Sequence, residues 1–519
     1  LKDLHLCTGQ MDMSNAAGRS VTDESLTDQL QQANGPREPQ PRWFSTLSEM
    51  LALAMPQIVY HSMSLVCEVT NTICLGHAGN DAELAAVGLG NMMQNCFGLS
   101  IGFGLAAAQN TLVSQAHGAG QRRLCCHYLQ RCRVLVTLQL VWMIPFLWFT
   151  DTWLILLGQD AQVARYATQY NQVTAFGLFF IFQYECTSVF LCNVGKPTAN
   201  GVIAGVCSLL HVAWALLFVV YLRMGNSGAG YANCVTWLLQ FLLSSLYLAW
   251  SGSTLSMGKA ELLWLQAPAF REWRSFLQTG IPSTLQLCSE WWFWEVCAVI
   301  VGYFGATVLA AHVSTVNLIV LTFMPIIGVN AAASTLVGNS LGANLPRKAK
   351  QAAWVCVISS IFVWTLESAV IFLVHDKIAA AYTDDLVVDS IMSQLLVIYL
   401  IAGYFDSAQN VMGACLRGMG WVRLPAAIYL LVYYGVMLPV SCVFAWPLQM
   451  GVYGVWWSMA VGTSIATVVF TFALCFANWS QTAKACEERM RLEGLEASKK
   501  EEARNFSMSL QPVPAADPI

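Results

Sequence analysis

Between residues 46 and 477 the chain is apolar, with only short polar breaks. No other feature limits its fold so strongly. A spanning helix needs about 20 apolar residues. Breaks at Gly, Pro and charged positions divide the run into twelve stretches of that kind: 48–75, 84–112, 125–149, 166–193, 197–222, 229–250, 279–303, 308–338, 351–374, 391–416, 424–446 and 451–476. The 308–338 stretch is long for one crossing and is expected to be tilted or broken. Composition agrees: the chain is 56% hydrophobic and 11% charged, against about 25% charged in an ordinary soluble domain. A soluble fold cannot hide that much apolar surface. The lipid bilayer is the expected surrounding, and a net charge of −4 gives no case for nucleic acid.

Positive charge then sets direction. The even-numbered connections carry Arg122, Arg123, Arg131 and Arg133, then Lys196, then Lys259, Arg271 and Arg274, then Arg347, Lys348 and Lys350, then Arg417 and Arg423. The odd-numbered connections carry only Arg165, Arg223 and Lys377. Both termini are therefore expected in the cytoplasm, at the plasma membrane or at a vacuolar or other organellar membrane. The expected organisation is a disordered N-tail over 1–46, a first lobe over 47–255, a cytoplasmic linker over 256–278, a second lobe over 279–477 and a charged cytoplasmic C-tail over 478–519. Within that tail, 484–505 is expected to form a short solvated helix. The eighteen cysteines show no CxxC or paired His/Cys spacing. They are expected to pack as small hydrophobes, and neither a metal nor a cofactor is anticipated.

The two halves repeat one another. Pro56 to Gly76 recurs as Pro282 to Gly302, at an offset of 226 residues. Leu84-Ala85-Ala86 recurs as Leu309-Ala310-Ala311, Thr111-Leu112-Val113 as Thr335-Leu336-Val337, and Gly118-Ala119 as Gly342-Ala343. Each repeat holds six helices, so both enter the membrane in the same direction. A substrate path is expected where they meet. The predicted fold class is an all-α polytopic membrane protein, with twelve transmembrane helices in two pseudo-symmetric six-helix lobes.

Six acids fall inside the spans: Glu68, Glu185, Glu290, Glu295, Glu367 and Asp406. The spans offer Lys or Arg only at their cytoplasmic ends, so buried salt bridges do not account for the acids. Intramembrane acids mark functional sites: they carry a proton part of the time, or they bind a cation. In the stretch SEWWFWEV, Glu290 shares a helical face with Ser283, Gln286, Trp294 and Cys297. Glu295 lies about 140° away around the helix and is expected to bond a neighbouring helix. Asp406 is followed on its face by Gln409, Asn410 and Gly413. In the first span His61, Ser64, Glu68 and Asn71 form another polar stripe, which Asn91, Gln94 and Asn95 could complete. That stripe has a plainer reading as helix–helix hydrogen bonding. Glu185 and Glu367 lack polar stripes. His211 and His312 are expected to be packed. Trp294 is the indole placed to meet an organic cation through cation–π attraction.

Several motifs resemble those of the multidrug and toxic compound extrusion (MATE) transporters, eukaryotic branch. They are GHAGNDAELAAVGLG and GLAAAQNTLVSQAHGAGQ in the first half, and SEWWFWE, AAASTLVGNSLGA and ACLRGMG in the second. The resemblance covers about residues 48–476. It implies two six-helix lobes around a central cleft, and antiport of organic cations, other xenobiotics or metabolites against H⁺ or, in some members, Na⁺. It also implies that the coupling and substrate-binding acids fall on Glu290 and Asp406, with the motif's second Glu at Glu295. The chain departs from bacterial relatives, which often have Asp before Thr in the first helix, by having Asn71-Thr72. It departs from some animal relatives by having Asn317 where they have a further Glu.

The expected function is a proton-coupled antiporter exporting organic cations, xenobiotics or metabolites by alternating access, and not an enzyme. Its expected partners are a small-molecule substrate, the coupling ion H⁺ with Na⁺ as the alternative, and the bilayer. The candidate site residues are Glu290, Asp406, Glu295, Glu68, Asn71, Gln286, Trp294 and Gln409. The alternatives are a specialist exporter of organic acids or glycosides, a sodium-coupled member, and a flippase, which would want Arg in mid-span. A membrane acyl transferase is also conceivable, with His61 near Glu68 as its one candidate pair.

Overall fold

Lipid offers no partner to a free backbone N–H or C=O, so each crossing must satisfy its own bonds as a helix. The computed structural model of the protein describes residues 41–78, 81–255, 257–382 and 385–509, and these are helical with no strand among them. The expected disorder over 1–40 lies outside the described residues. The first lobe comprises α1 (Trp43–Ala78), α2 (Ala82–Gly118), α3 (Arg122–Trp148), α4 (Ala161–Asn193), α5 (Thr198–Tyr221) and α6 (Gly225–Leu255). The second comprises α7 (Trp273–Gly302), α8 (Ala306–Thr322 and Met324–Gly342), α9 (Pro346–Tyr382), α10 (Leu386–Gly418), α11 (Arg423–Ala445) and α12 (Gly451–Phe476). A tail helix, α13, spans Trp479–Ser509.

Ten of the lobe helices are each long and apolar enough to cross a membrane, and the bent pair in α8 makes an eleventh. The twelfth, α7, is 30 residues long and is the one that carries the SEWWFWEV polar stripe. Neighbour relations repeat between the lobes. α4 packs on α6 as α10 packs on α12, α1 on α5 as α7 on α11, and α2 on α4 as α8 on α10. Apolar side chains with no protein cover run along the outer faces, as Phe362, Leu366, Val370 and Leu373 do on α9. That spacing marks one lipid-facing stripe of a helix.

Several boundaries differ from the sequence expectation. α1 begins at Trp43, so the last four residues of the supposed tail are helical. α7 begins at Trp273, six residues inside the supposed linker, which itself forms a short helix at Lys259–Leu263 and a 3₁₀ turn at Ala267–Phe270. α8 is broken, with a 46° bend at Phe323. Pro325 sits in the first turn of the second segment, and a proline there cannot continue the bonding of the helix before it.

The two lobes meet most closely on the side where α1 begins and α13 docks, here called the tail side, with the far side opposite. Gly118 and Gly342 bring α2 and α8 backbone to backbone. A Cβ on Gly118 would lie 2.1 Å from the Asn339 carbonyl, and one on Gly342 2.1 Å from that of Gln115. Small residues allow such approach between membrane helices. Around them runs a polar seam. Thr111 Oγ1 donates to the Arg417 carbonyl at 2.7 Å, and Gln115 Nε2 to that of Gly418 at 2.8 Å. Asn193 Nδ2 donates to Asn110 at 3.0 Å, while its Oδ1 accepts from Thr335 at 3.1 Å. Beyond the bend, the Ala306–Thr322 segment of α8 packs on α7 and α10 of its own lobe. The seam thus joins the lobes on the tail side, and the Ala306–Thr322 segment belongs with its own lobe.

α13 was expected to be short and solvated. It is 31 residues long and docks one face, with Trp479, Ala483, Cys486 and Met490 all buried. Those positions follow helical spacing, and Lys484 and Glu488 are left exposed. Met490 O accepts from Gln121 Nε2 at 2.7 Å and Glu487 from Asn344 at 2.8 Å. Arg489 bonds Gln115, and Glu493 accepts from Tyr128. Gln115, Gln121 and Tyr128 belong to the first lobe and Asn344 to the second, so α13 straddles the seam.

Candidate functional site

The second lobe brings Glu290, Asp406, Gln286 and Gln409 together. Asp406 is buried on α10. Its Oδ1 accepts from Gln409 Nε2 at 2.9 Å and from Asn410 Nδ2 at 3.2 Å, one turn further along the same helix. Glu290, half-buried on α7, lies in the electrostatic range of Asn410, Asp406 and Arg417. One amide therefore stands between two carboxyl groups. Gln286, one turn before Glu290, is buried, with its Nε2 at 3.4 Å from where a Gly413 side chain would begin. Tyr429 OH stands 3.7 Å and Arg417 Nη1 3.8 Å from that same point. Gly413 is thus the gap around which these groups gather, and a larger residue would fill it.

The tyrosines come from α11, which is π-helical over Leu431–Met437 just before Pro439. Such local unwinding is common at functional sites. Tyr433 takes a long 3.4 Å contact from Gln409 Nε2 and packs its ring on Phe293 at 5.2 Å. Asn330 of α8 closes the tail-side end, accepting from Arg417 Nη2 at 2.9 Å and donating to the Asn410 carbonyl at 3.1 Å. Gln286 Oε1, Gln409 Oε1 and Tyr429 OH are buried with no protein partner. An unpaired buried polar atom costs about 1–3 kcal/mol. Two of the three, on Gln286 and Tyr429, belong to side chains gathered around the Gly413 gap, an arrangement suited to a polar or charged guest.

The other candidates lie elsewhere. Glu295 faces α2, near the Cys96 thiol in the π-helical turn Asn95–Leu99. Trp292 Nε1 donates to the Cys96 carbonyl at 2.8 Å, and Trp291 meets Phe103 edge-on at 6.3 Å. The half-buried Trp294 stacks toward Trp456 at 5.8 Å, within an aromatic series that continues through Tyr399 to Trp364. Asn71 is buried in the first lobe. It donates to Asn233 at 2.8 Å and contacts His211 at 3.1 Å; His211 meets Thr236 at 2.8 Å, and Asn233 donates to Tyr170, which donates to Asn91. Glu68 keeps an exposed surface beside Tyr170. His312 accepts from Trp456 Nε1 at 3.1 Å.

Two features escaped sequence reasoning. Arg417 had been assigned to a connection, yet it lies within α10 and comes near Glu290, so the second-lobe acids are not without a basic neighbour. The signal was available: Arg417 is eleven residues from Asp406, three helical turns along one face. Tyr429 and Tyr433 sit four apart and could have been found as an aromatic pair. Among the described residues no group of three His, Cys, Asp or Glu could hold a metal.

The MatE family model matches residues 54–217 and 282–443, one match in each lobe. The chain belongs to the MATE family. Protein DETOXIFICATION 35 of Arabidopsis thaliana is 31% identical over 82% of this chain and 86% of its own length. Multidrug and toxin extrusion protein 1 of Homo sapiens is 27% identical over 90% of this chain and 80% of its own. Among solved structures, the eukaryotic MATE transporter AtDTX14 superposes with a TM-score of 0.80 at 22% identity, covering 86% of this chain and 99% of that one. The protein is accordingly a multi-pass MATE transporter, with twelve helices in two lobes.

Proposed function

We propose that this MATE transporter exports organic cations, or other xenobiotics and metabolites, in exchange for protons. The observation that carries the proposal is the convergence of Glu290 and Asp406 on Asn410, the bridge of two carboxyl groups around one amide, flanked by unpartnered polar atoms near Gly413. Two carboxyl groups that share one amide hold a proton or a cation more readily than two separate charges. A cationic guest and a proton therefore compete for the bridge. With the bridge deprotonated, a guest entering from the tail side is attracted. Protons arriving from the far side remove that attraction and release it. Guest and proton drive the cycle only through unequal affinity for the two facing states. The positive-charge bias of the connections supports cytoplasmic termini, so that release is to the outside or to an organelle lumen.

The test is flux from reconstituted vesicles, with pH and sodium gradients applied separately. Exchange is expected to follow the pH gradient and to fall at least about tenfold in Glu290→Gln, equivalent to about 1.4 kcal/mol. Wild-type coupling in that variant, or exchange that follows sodium alone, sinks the proton assignment. Arg417 favours a second reading. Its guanidinium beside the pocket suits a substrate that carries an anionic or strongly polar group, such as an organic acid or glycoside. Competition between organic cations and organic acids separates the two.

A further inference from the structure

The first lobe has an acid that the exchange cycle leaves unused. Glu185 is half-buried on α4, and the Tyr60 hydroxyl of α1 donates to its Oε2 at 2.6 Å. Its place in the duplication is what gives it meaning. α4 and α10 are each 33 residues long, and each is capped by an aspartate that accepts from two backbone amides of its first turn: Asp160 in one, Asp385 in the other. Gly195 and Gly420, just past the two helix ends, both adopt positive φ, at 76° and 86°. All these landmarks share an offset of 225, while α1 and α7 share the 226 of Pro56 and Pro282. On that register Glu185 occupies the position of Asn410, and Tyr60 that of Gln286. The first lobe thus places an acid and a phenol where the second places the two amides beside its carboxyl bridge.

The surroundings are built for a small charge. Tyr184 crosses Tyr60 edge-on at 5.8 Å, and His61 lies against the other side of Tyr60 at 4.6 Å. Gln57 Nε2 and Tyr184 OH are buried without partners. From α3, Arg133 binds Thr187 and Cys132 lies beside Cys186, both rotated around α4 from Glu185. From α5, Cys207 lies near Tyr184. From α8 comes Thr335, which meets Cys192 at 3.7 Å. Cys192 is seven residues along α4 from Glu185 and on its face, so the acid stands roughly 10 Å above the tail-side seal. A metal ion would want about six oxygen ligands, far more than the carboxylate and Tyr60 provide. A proton needs one.

We propose that Glu185 is a second proton site, on the first lobe, at the floor of the cleft. The inference rests on the antiport reading above. A proton from far-side water joins the carboxyl oxygen that Tyr60 does not occupy, while Tyr60 keeps its bond to the other. When the seal parts, the same O–H bond breaks and the proton passes to tail-side water. The first lobe would then carry a charge change of its own in each cycle.

The probe is the proton itself. Infrared difference spectra of the full-length protein in lipid, taken across a pH titration, should contain a carboxylic acid C=O band that disappears in Glu185→Gln. The band should move to higher frequency in Tyr60→Phe, which removes the hydrogen bond. In vesicles, pH-driven efflux of tetraethylammonium should become less steep with pH in Glu185→Gln without being abolished. An unchanged band in Glu185→Gln overturns the proposal. If that variant does not fold, an unchanged band in Tyr60→Phe does so. Persistence of pH-driven efflux in Glu290→Gln, with the Glu185 band intact, would overturn the second-lobe reading and leave this one standing.

Discussion

The two lobes repeat one frame, yet the polar network around Asn71 in the first and the polar cluster around Gly413 in the second are satisfied in opposite ways. In the first lobe, Asn91, Tyr170, Asn233, Asn71, His211 and Thr236 link five helices into one series in which each member has a partner. In the second lobe, Gln286, Gln409 and Tyr429 each keep a buried oxygen unpaired beside two acids. A satisfied network fixes a core, and an unsatisfied one retains affinity for something else. The same frame thus supports a paired network around Asn71 and an unpaired cluster around Gly413. The register shows how little separates them: Asn71 aligns with Cys297, and Ser64 with Glu290.

The comparison is broken most sharply at the acids. Glu290→Gln and Asp406→Asn should each reduce pH-driven exchange by about tenfold or more. The double variant should be little worse than the weaker single, because both acids act through Asn410 and coupled neighbours are not additive. Independent effects in vesicle flux would mean two separate sites. The next effect is on stability. Asn71→Leu strips Asn233 Oδ1 and His211 Nε2 of their Asn71 bonds and should cost about 2–4 kcal/mol, read as a lower thermal midpoint with the pH profile of transport unchanged. Gln286→Leu should do the reverse, lowering transport with little loss of midpoint, since its oxygen has no partner to abandon. If both variants lose stability equally, the contrast between the lobes is wrong.

The smallest effect concerns α13. Burial pushes the Cys486 thiol up to about 11, so the reactive thiolate is scarce near neutral pH. In a Cys475→Ser background, which removes the exposed cysteine of α12, maleimide labelling of Cys486 should stay slow as pH rises from 7 to about 8. An undocked cysteine of ordinary pKa would label on the order of a hundredfold faster at pH 7. Arg489→Ala, which removes the bond to Gln115, should raise the labelling rate a few-fold.

Much of this was legible in the sequence. The apolar runs and the offset of 226 gave the helix count and the duplication. The i, i+4 pairing of Gln286 with Glu290 and the i, i+3 pairing of Asp406 with Gln409 gave the core of the pocket. What stayed hidden depended on contacts between helices. Asn71 looked like a site residue because its stripe is polar, and only the neighbouring helices show that its amide is already paired. Trp294 shares the face of Glu290, but that face is long enough for its ring to reach Trp456. Charge along 484–505 suggested a solvated helix, because four buried positions are a weak signal among so many Glu, Lys and Arg.

α13 follows the second repeat and binds across the seam between both, so the closed tail side is held by something the duplication did not supply. Parting the lobes there means loosening three bodies rather than two. How long the molecule waits in this posture can therefore be tuned through the C-terminal segment alone. Changes there would alter dwell time and leave both lobes free to keep their chemistry.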